Sequence, residues 1–205
     1  MKVVRKTGGL FMANSYIVFD ENSGEACLID AGGYARPILD KCRELGKKLT
    51  SVLITHGHFD HLTALAKLKE ETECSVYIHE ADAAALSDPR LNLSDGFFLA
   101  CRPIKADVLL KDGDVVEAAG LSIRVLHTPG HTPGGVCYVC GNSIFSGDTL
   151  FKLSVGRTDF PQSSYEQLAD SIRSKLFVLP GDYTVYPGHG PHTSLQFERE
   201  NNALV

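Results

Sequence analysis

Runs of apolar residues along the chain, punctuated by Gly, Pro and Asn, predict short strands alternating with helices. Asn14 to Asp20 and Glu25 to Asp30 are β-rich and bracket Glu21-Asn22-Ser23-Gly24, which predicts a hairpin. The wider apolar stretch from Leu10 to Phe19, interrupted by Asn14 and Ser15, reads as strand rather than signal peptide because no convincing small-residue cleavage site follows. Pro37 to Leu45 has helical spacing, with Pro37 near the first turn and Gly46 as a stop, and Val52 to Thr55 is a short buried strand. His61 to Glu71 is helical, Ser75 to His79 extended and Glu80 to Ser87 helical again. Pro89 to Pro103 has little periodicity. Strands follow at Asp107 to Leu110, Val115 to Glu117, Leu121 to His127, Gly135 to Val139 and Ser143 to Phe145. Ser163 to Phe177 is an amphipathic helix with Ser163 or Ser164 as N-cap, Tyr183 to Tyr186 is a strand, and Ser194 caps a last short helix. With no linker, low-complexity segment or repeat, this order predicts one layered α/β domain over residues 1–205, two sheets with outer helices.

Composition narrows the function classes. The chain has 205 residues, 43% of them apolar, enough for a core without covalent staples. The net charge is -5 and the longest basic run is Lys47-Lys48, so there is no electrostatic case for a nucleic-acid partner. No segment approaches the ~20 consecutive apolar residues of a membrane span, so a soluble protein is expected. Six scattered cysteines without an export signal suit a reducing cytoplasm and free buried thiols. Cys137-Tyr-Val-Cys140 has zinc or redox spacing, but on an extended segment residues three apart face opposite sides, and packing is the better reading.

The densest chemistry is Thr55-His56-Gly57-His58-Phe59-Asp60-His61, where a short apolar strand ends and a helix begins. On an extended segment His56 and His58 point the same way and can reach one ion, while the turn into the helix redirects Asp60 and His61 toward a second. A lone histidine is more often a surface or core residue than a ligand. Three imidazoles and a carboxylate at one strand end would leave buried polar groups poorly satisfied, and a cation resolves that conflict. Three further segments each follow a predicted strand: Thr128-Pro129-Gly130-His131-Thr132-Pro133-Gly134, Ser146-Gly147-Asp148-Thr149 and Pro187-Gly188-His189-Gly190. Their Gly and Pro residues can fix tight loops that aim one ligand each.

Together these motifs resemble the metallo-β-lactamase superfamily, and within it the short glyoxalase II-like thioester hydrolases, from about residue 3 to the end of the chain. The resemblance implies a four-layer αββα sandwich with two divalent ions at one edge, zinc first and iron or manganese as alternatives. It assigns His56, His58 and His131 to one ion and Asp60, His61 and His189 to the other, with Asp148 bridging both. Asp60 and Asp148 are the candidate catalytic carboxylates of that set. In β-lactamases of this fold the place of His61 is often another residue and a cysteine can replace the bridging aspartate, so His61 and Asp148 speak against β-lactam turnover. Gly156-Arg157-Thr158-Asp159-Phe160 resembles a segment of the same short proteins and of the persulfide dioxygenases. It makes Arg157 and Asp159 candidate braces for the ligand loops, with a simple loop salt bridge as the alternative. His79, His127 and His192 are expected to be structural, and Tyr34, Tyr138, Tyr165 and Tyr186 half-buried packing residues.

The implied reaction is hydrolysis of a small-molecule thioester by hydroxide formed between two ions, with the thiol, of pKa ~8.5, leaving without a dedicated acid. Only sixteen residues follow His189, so the helical domain that grips glutathione in long glyoxalase II enzymes is expected to be absent. The expected substrate is of the S-lactoylglutathione type, which makes S-lactoylglutathione a test substrate, with the ester of another low-molecular-weight thiol as the alternative. Two alternatives stay open. His56, His131 and Asp148 can form a face for one Fe(II), as in a persulfide dioxygenase, and the same ions can serve a lactonase.

Overall fold

The computed structural model describes residues 1–97 and 101–205. One sheet contains, in spatial order, β1 (Lys2–Gly8), β2 (Ala13–Phe19), β3 (Glu25–Ile29), β4 (Lys48–Leu53), β5 (Ser75–His79) and β6 (Val108–Leu110). The first three pair antiparallel and the rest continue in parallel. The second sheet contains β7 (Val115–Ala118), β8 (Leu121–His127), β9 (Val136–Cys140), β10 (Ser143–Gly147), β13 (Thr184–Pro187) and β14 (Thr193–Ser194) in that spatial order. Only β10 and β13 pair parallel there. A small ribbon, β11 (Leu150–Phe151) with β12 (Ser154–Val155), lies beside it. The helices are α1 (Ala35–Glu44), α2 (Leu65–Thr72), α3 (Tyr165–Ser171) and α4 (Leu195–Asn201).

Period-two alternation decides which side chains lie between the sheets. In β8 Ile123 and Val125, in β9 Val136, Tyr138 and Cys140, and in β10 Phe145 join the larger core with the first sheet. Their neighbours Leu126, Cys137, Val139 and Ile144 face the other way, onto Leu168, Ile172, Leu176 and Leu195. Cys137 and Cys140 therefore belong to different cores, and burial raises the Cys137 thiol to about 11. On the far side of the first sheet, Ile38, Leu39 and Cys42 of α1 recur at helical spacing and pack with Leu65 and Leu68 of α2. The result is an αββα sandwich of four layers, as the resemblance implied.

Several boundaries differ from the sequence expectation. Leu10 to Met12 form an exposed turn instead of strand; Leu10 is 76% exposed and Met12 has φ +54°. The chain pairs again only at Ala13, where burial begins. β1 is an edge strand whose Lys2, Arg5 and Lys6 hide the alternation, and such charges are a usual guard against edge-to-edge association. The helix expected over 163–177 is α-helical only through Ser171 and continues as a π-helical turn, Ile172–Leu176. Ser164 accepts from Gln167 N at 3.3 Å and Ser194 from Phe197 N at 3.2 Å, so both expected caps form. Glu80–Leu86 winds as 3-10 helix, and α2 starts four residues later than His61, after a 3-10 turn at Phe59–His61. The aperiodic stretch 89–103 falls partly on residues outside those described. Tyr34 and Tyr165 are exposed rather than half-buried, because Tyr34 precedes α1 on the outer surface and Tyr165 opens α3. Among the described residues the six cysteines are free, and no helix is long and apolar enough to cross a membrane.

One edge of the sandwich is joined by polar bonds. Val136 N donates to Thr55 O at 2.8 Å and Asn14 N to Gly188 O at 2.7 Å. The buried hydroxyls of Tyr138 and Tyr16 donate to the carbonyls of Ile54 and Pro187 at 2.7 and 2.6 Å. These bonds tie each sheet to the loops of the other, where β3, β4, β8, β10 and β13 all end. Replacing Tyr138 with Phe should leave the buried Ile54 carbonyl unpaired and lower unfolding stability by about 1–3 kcal/mol. Urea titration should show a lower midpoint with unchanged slope.

Candidate metal centre

Each side chain singled out in the motifs lies just beyond the C-terminal end of a strand. His56 and His58 follow β4, His131 follows β8, Asp148 follows β10 and His189 follows β13; Asp60 and His61 sit in the 3-10 turn after β4. The structure brings all seven together. The ligand atoms of His56, His58 and His131 lie within 4.8 Å of one another, as do those of His56, His61 and Asp148, and those of Asp60, His61 and His189. Asp148 stands between the groups, with Oδ1 3.4 Å from His61 Nε2 and Oδ2 3.6 Å from both His131 Nε2 and His189 Nε2.

Outer hydrogen bonds set the imidazole tautomers. His61 Nδ1 donates to Asp30 Oδ2 at 2.9 Å, His131 Nδ1 to the Arg157 carbonyl at 2.7 Å and His189 Nδ1 to the Phe11 carbonyl at 3.1 Å. Thr55 Oγ1 gives its proton to Asp30 Oδ2 at 2.8 Å, so it accepts from His56 Nδ1 at 3.1 Å. Four imidazoles thus turn Nε2 inward, with a lone pair there on each ring that is neutral. His61 Nε2 and His189 Nε2 face each other at 3.3 Å, and His58 Nδ1 faces His131 Nε2 at 2.9 Å. His56 Nε2 and Asp148 Oδ1 are buried without a hydrogen-bond partner. Lone pairs and a carboxylate converging in a buried space are an unfavourable arrangement that divalent cations relieve, and nitrogen and carboxylate donors suit zinc, iron or manganese.

The ionisation of these groups follows from the same layout. Burial depresses His56 well below its usual value, helped by His61, and burial together with His131 takes His58 down to about 3. These imidazoles are therefore neutral and can act as ligands. Burial opposes charge on His61, yet the Asp30, Asp60 and Asp148 carboxylates outweigh it and raise His61 well above the ordinary range. Burial also opposes ionisation of Asp148 and Asp60, but His61 beside them holds both below the usual carboxylate value. Positive charge is favoured at this point, whether a proton or a metal supplies it.

Reading the motifs missed the residues that hold the candidate ligands in place. Asp30 accepts from Thr55 N at 2.8 Å as well as from Thr55 Oγ1 and His61, and it keeps a left-handed φ of +58°, which costs a non-glycine residue about 1 kcal/mol. Asp82 accepts from Gly57 N at 2.8 Å, Thr132 Oγ1 at 2.7 Å and Gly134 N at 2.6 Å, tying the His56–His58 loop to the His131 loop. Asn14 Nδ2 donates to the Pro187 and Gly190 carbonyls, both at 3.0 Å, and so grips the loop bearing His189. The polar interruption of an apolar run by Asn14 and Ser15 was the one visible signal. Gly188 approaches so closely that a Cβ would overlap Asp148 Oδ1, which explains glycine before His189.

Arg157 reaches the centre through its main chain, since its carbonyl orients His131. The side chains of Arg157 and Asp159 pair at 2.7 Å in solvent, 68% and 64% exposed, and contact no ligand side chain by hydrogen bond. His79 and His127 stack 4.0 Å apart, and His127 Nε2 donates to Pro133 O at 2.9 Å; neither belongs to the ligand groups. His192 lies outside them as well.

Residues 8–189 match the model of the Metallo-beta-lactamase superfamily. The chain belongs to this superfamily. A probable metallo-hydrolase of Streptococcus pyogenes serotype M6 is 36% identical over 98% of this chain and 89% of its own length. The hydroxyacylglutathione hydrolase GloC of Haemophilus influenzae is 32% identical over 95% and 93%. Among solved structures, BLEG-1 B3 metallo-beta-lactamase superposes with a TM-score of 0.91 at 33% identity, covering 98% of each chain. TTHA1623 in a di-iron-bound form gives 0.88 at 35% identity over 99% of this chain and all of its own. ETHE1 from Myxococcus xanthus gives 0.83 at 32% over 99% and 84%. Superfamily membership and the His/Asp clusters support a metal-dependent enzyme, a hydrolase or an oxidoreductase.

Replacing Asp30 with Asn should free the His61 tautomer and lower metal affinity by about 10–100-fold, the usual effect of losing an outer partner. Asp159→Asn should change it less than about twofold, because its partner is an exposed arginine. Chelator competition on both folded variants measures the difference.

Proposed function

We propose that the protein is a thioester hydrolase of the glyoxalase II-like kind, acting with two divalent ions, zinc first, on the ester of a small thiol. The observation that carries this reading is the position of Asp148 beside two converging sets of side chains, His56, His58 and His131 on one side and Asp60, His61 and His189 on the other. In this reading His56, His58 and His131 would hold one ion and Asp60, His61 and His189 the other, with Asp148 available to both. Ions held there would supply a hydroxide near neutral pH and polarise the acyl carbonyl.

The chain's own groups do the rest. Asp30, the Arg157 carbonyl and the Phe11 carbonyl keep three imidazoles from rotating, so little reorganisation accompanies the reaction. Asp60, with Oδ2 3.2 Å from His189 Nε2, is kept ionised by His61 against the effect of burial, and would accept a hydrogen bond from a water held at the site. Aromatic side chains line the cavity above these residues. A thiolate leaving group, with pKa ~8.5, requires no acid. The name of the GloC relative supports a thioester as the kind of bond cleaved.

A second reading has its own observation. His131 Nε2 lies 3.6 Å from Asp148 Oδ2, and with His56 these residues offer the two histidines and one carboxylate that a mononuclear iron oxygenase uses. The further group of Asp60, His61 and His189 favours the two-ion hydrolase.

Elemental analysis of the purified protein, coupled to assays on thioesters, lactones, a β-lactam and oxygen uptake with a persulfide, separates these readings. The hydrolase predicts two metals per chain, thioester turnover lost on chelation and restored by metal, and a fall of more than about 100-fold in kcat/KM for Asp148→Asn. Oxygen consumption with one iron per chain, and no thioester cleavage, would overturn it.

A further inference from the structure

The cavity over the ligand groups, about 230 Å³, is mainly aromatic. On the side of Asp60 and His189, Phe11, Phe59 and Phe97 form a triangle of edge-to-face and tilted rings with centroids 5.1–5.4 Å apart. Phe59 is buried, while Phe11 and Phe97 are 39% and 46% exposed. The wall is tied to the ligands, since the Phe11 carbonyl accepts from His189 Nδ1 and Phe59 precedes Asp60. On the opposite side Phe160 packs edge-on against His58 at 5.2 Å, with the Arg157 guanidinium 4.5 Å above its ring.

Charge is distributed as unevenly as the rings. Apart from the imidazoles, Arg157 is among the described residues the one basic side chain lining the cavity, and it is already paired with Asp159. A charged peptide thiol would find one guanidinium and otherwise hydrocarbon. A water-soluble thiol carrier must bear polar or charged groups, whereas an acyl group can be wholly apolar. The carrier therefore fits the side of Arg157 and open solvent, and the acyl group fits the three-ring wall. The volume is below the ~300 Å³ at which pockets begin to enclose drug-sized ligands, which suits a phenylacetyl- or hexanoyl-sized group.

We infer that Phe11, Phe59 and Phe97 form a specificity subsite for an apolar acyl group, so that the preferred substrate is an aryl- or alkyl-acyl thioester rather than a hydroxyacyl one. This rests on the proposed thioesterase. One water cleaves R–CO–S–R′ to R–COOH and R′–SH: its oxygen forms the new C–O bond, the C–S bond breaks, and the sulfur retains the bonding pair and takes up a proton. The rings act by binding R, and each methylene they cover should raise kcat/KM about threefold to fourfold.

The test uses the metal-loaded full chain, its Phe11→Ala and Phe97→Ala variants, and acetyl, butanoyl, hexanoyl, phenylacetyl and lactoyl thioesters of the uncharged thiol N-acetylcysteamine. Binding of phenylacetate and of acetate is measured in parallel by calorimetry. The subsite predicts kcat/KM rising with apolar acyl size, lactoyl below butanoyl, and a phenylacetyl-to-acetyl ratio that falls about tenfold in each variant. Phenylacetate should bind more tightly than acetate and lose that advantage in both. Thioester cleavage with no dependence on acyl size, or variants that slow all esters alike, would overturn the subsite and leave the hydrolase standing. Selective phenylacetate binding, lost in the variants but without cleavage of any thioester, would overturn the hydrolase and keep the apolar subsite. Neither cleavage nor selective binding would overturn both.

Discussion

The constraint on which this structure depends is the fixing of imidazole tautomers from outside. Asp30, Thr55 and two main-chain carbonyls, of Arg157 and Phe11, bond the outer nitrogens of His61, His56, His131 and His189. Each bond turns a lone pair toward one space, where Asp148 and Asp60 add carboxylates. Without positive charge at the centre, this convergence opposes folding. With cations, the same groups become a preformed ligand set whose geometry does not wait for the metal to arrive.

That arrangement requires the two sheets to meet accurately at one edge. His56, His58, Asp60 and His61 come from the first sheet's loops, and His131, Asp148 and His189 from the second's. No local stretch can assemble the whole set. The register between the sheets is fixed partly by the apolar core, in which Ile123, Val125, Tyr138 and Phe145 face the first sheet, and partly by polar ties at the edge. Asp82 bridges the loops after β4 and β8, Asn14 holds the loop after β13, and the Tyr138 and Tyr16 hydroxyls cross between layers. These bonds supply orientation, which nonpolar packing alone does not.

Much of the fold was legible because its strands are short, apolar and separated by Gly and Pro. β5 and β8 coincide with the runs read from the sequence. β1 escaped because Lys2, Arg5 and Lys6 put charge on both of its faces and mask the alternation, and Leu10 to Met12 misled because hydrophobicity there serves the exposed turn beside the cavity. The ligand candidates were legible because four of them fall within six residues and the other three lie in glycine-rich loops. Asp30, Asp82 and Asn14 were not, since each is a common polar residue whose role exists only through partners distant in the chain. The sequence also places the Phe residues of the cavity wall far apart, and only the fold turns them into one surface.

Crystallographic location of the metals is the most direct test of the central claim. Anomalous difference maps of the metal-loaded protein should show two peaks, one among His56, His58 and His131 and one among Asp60, His61 and His189, each also within coordination distance of Asp148. A single peak with Asp60, His61 and His189 uninvolved, or metal bound away from these loops, would contradict the account.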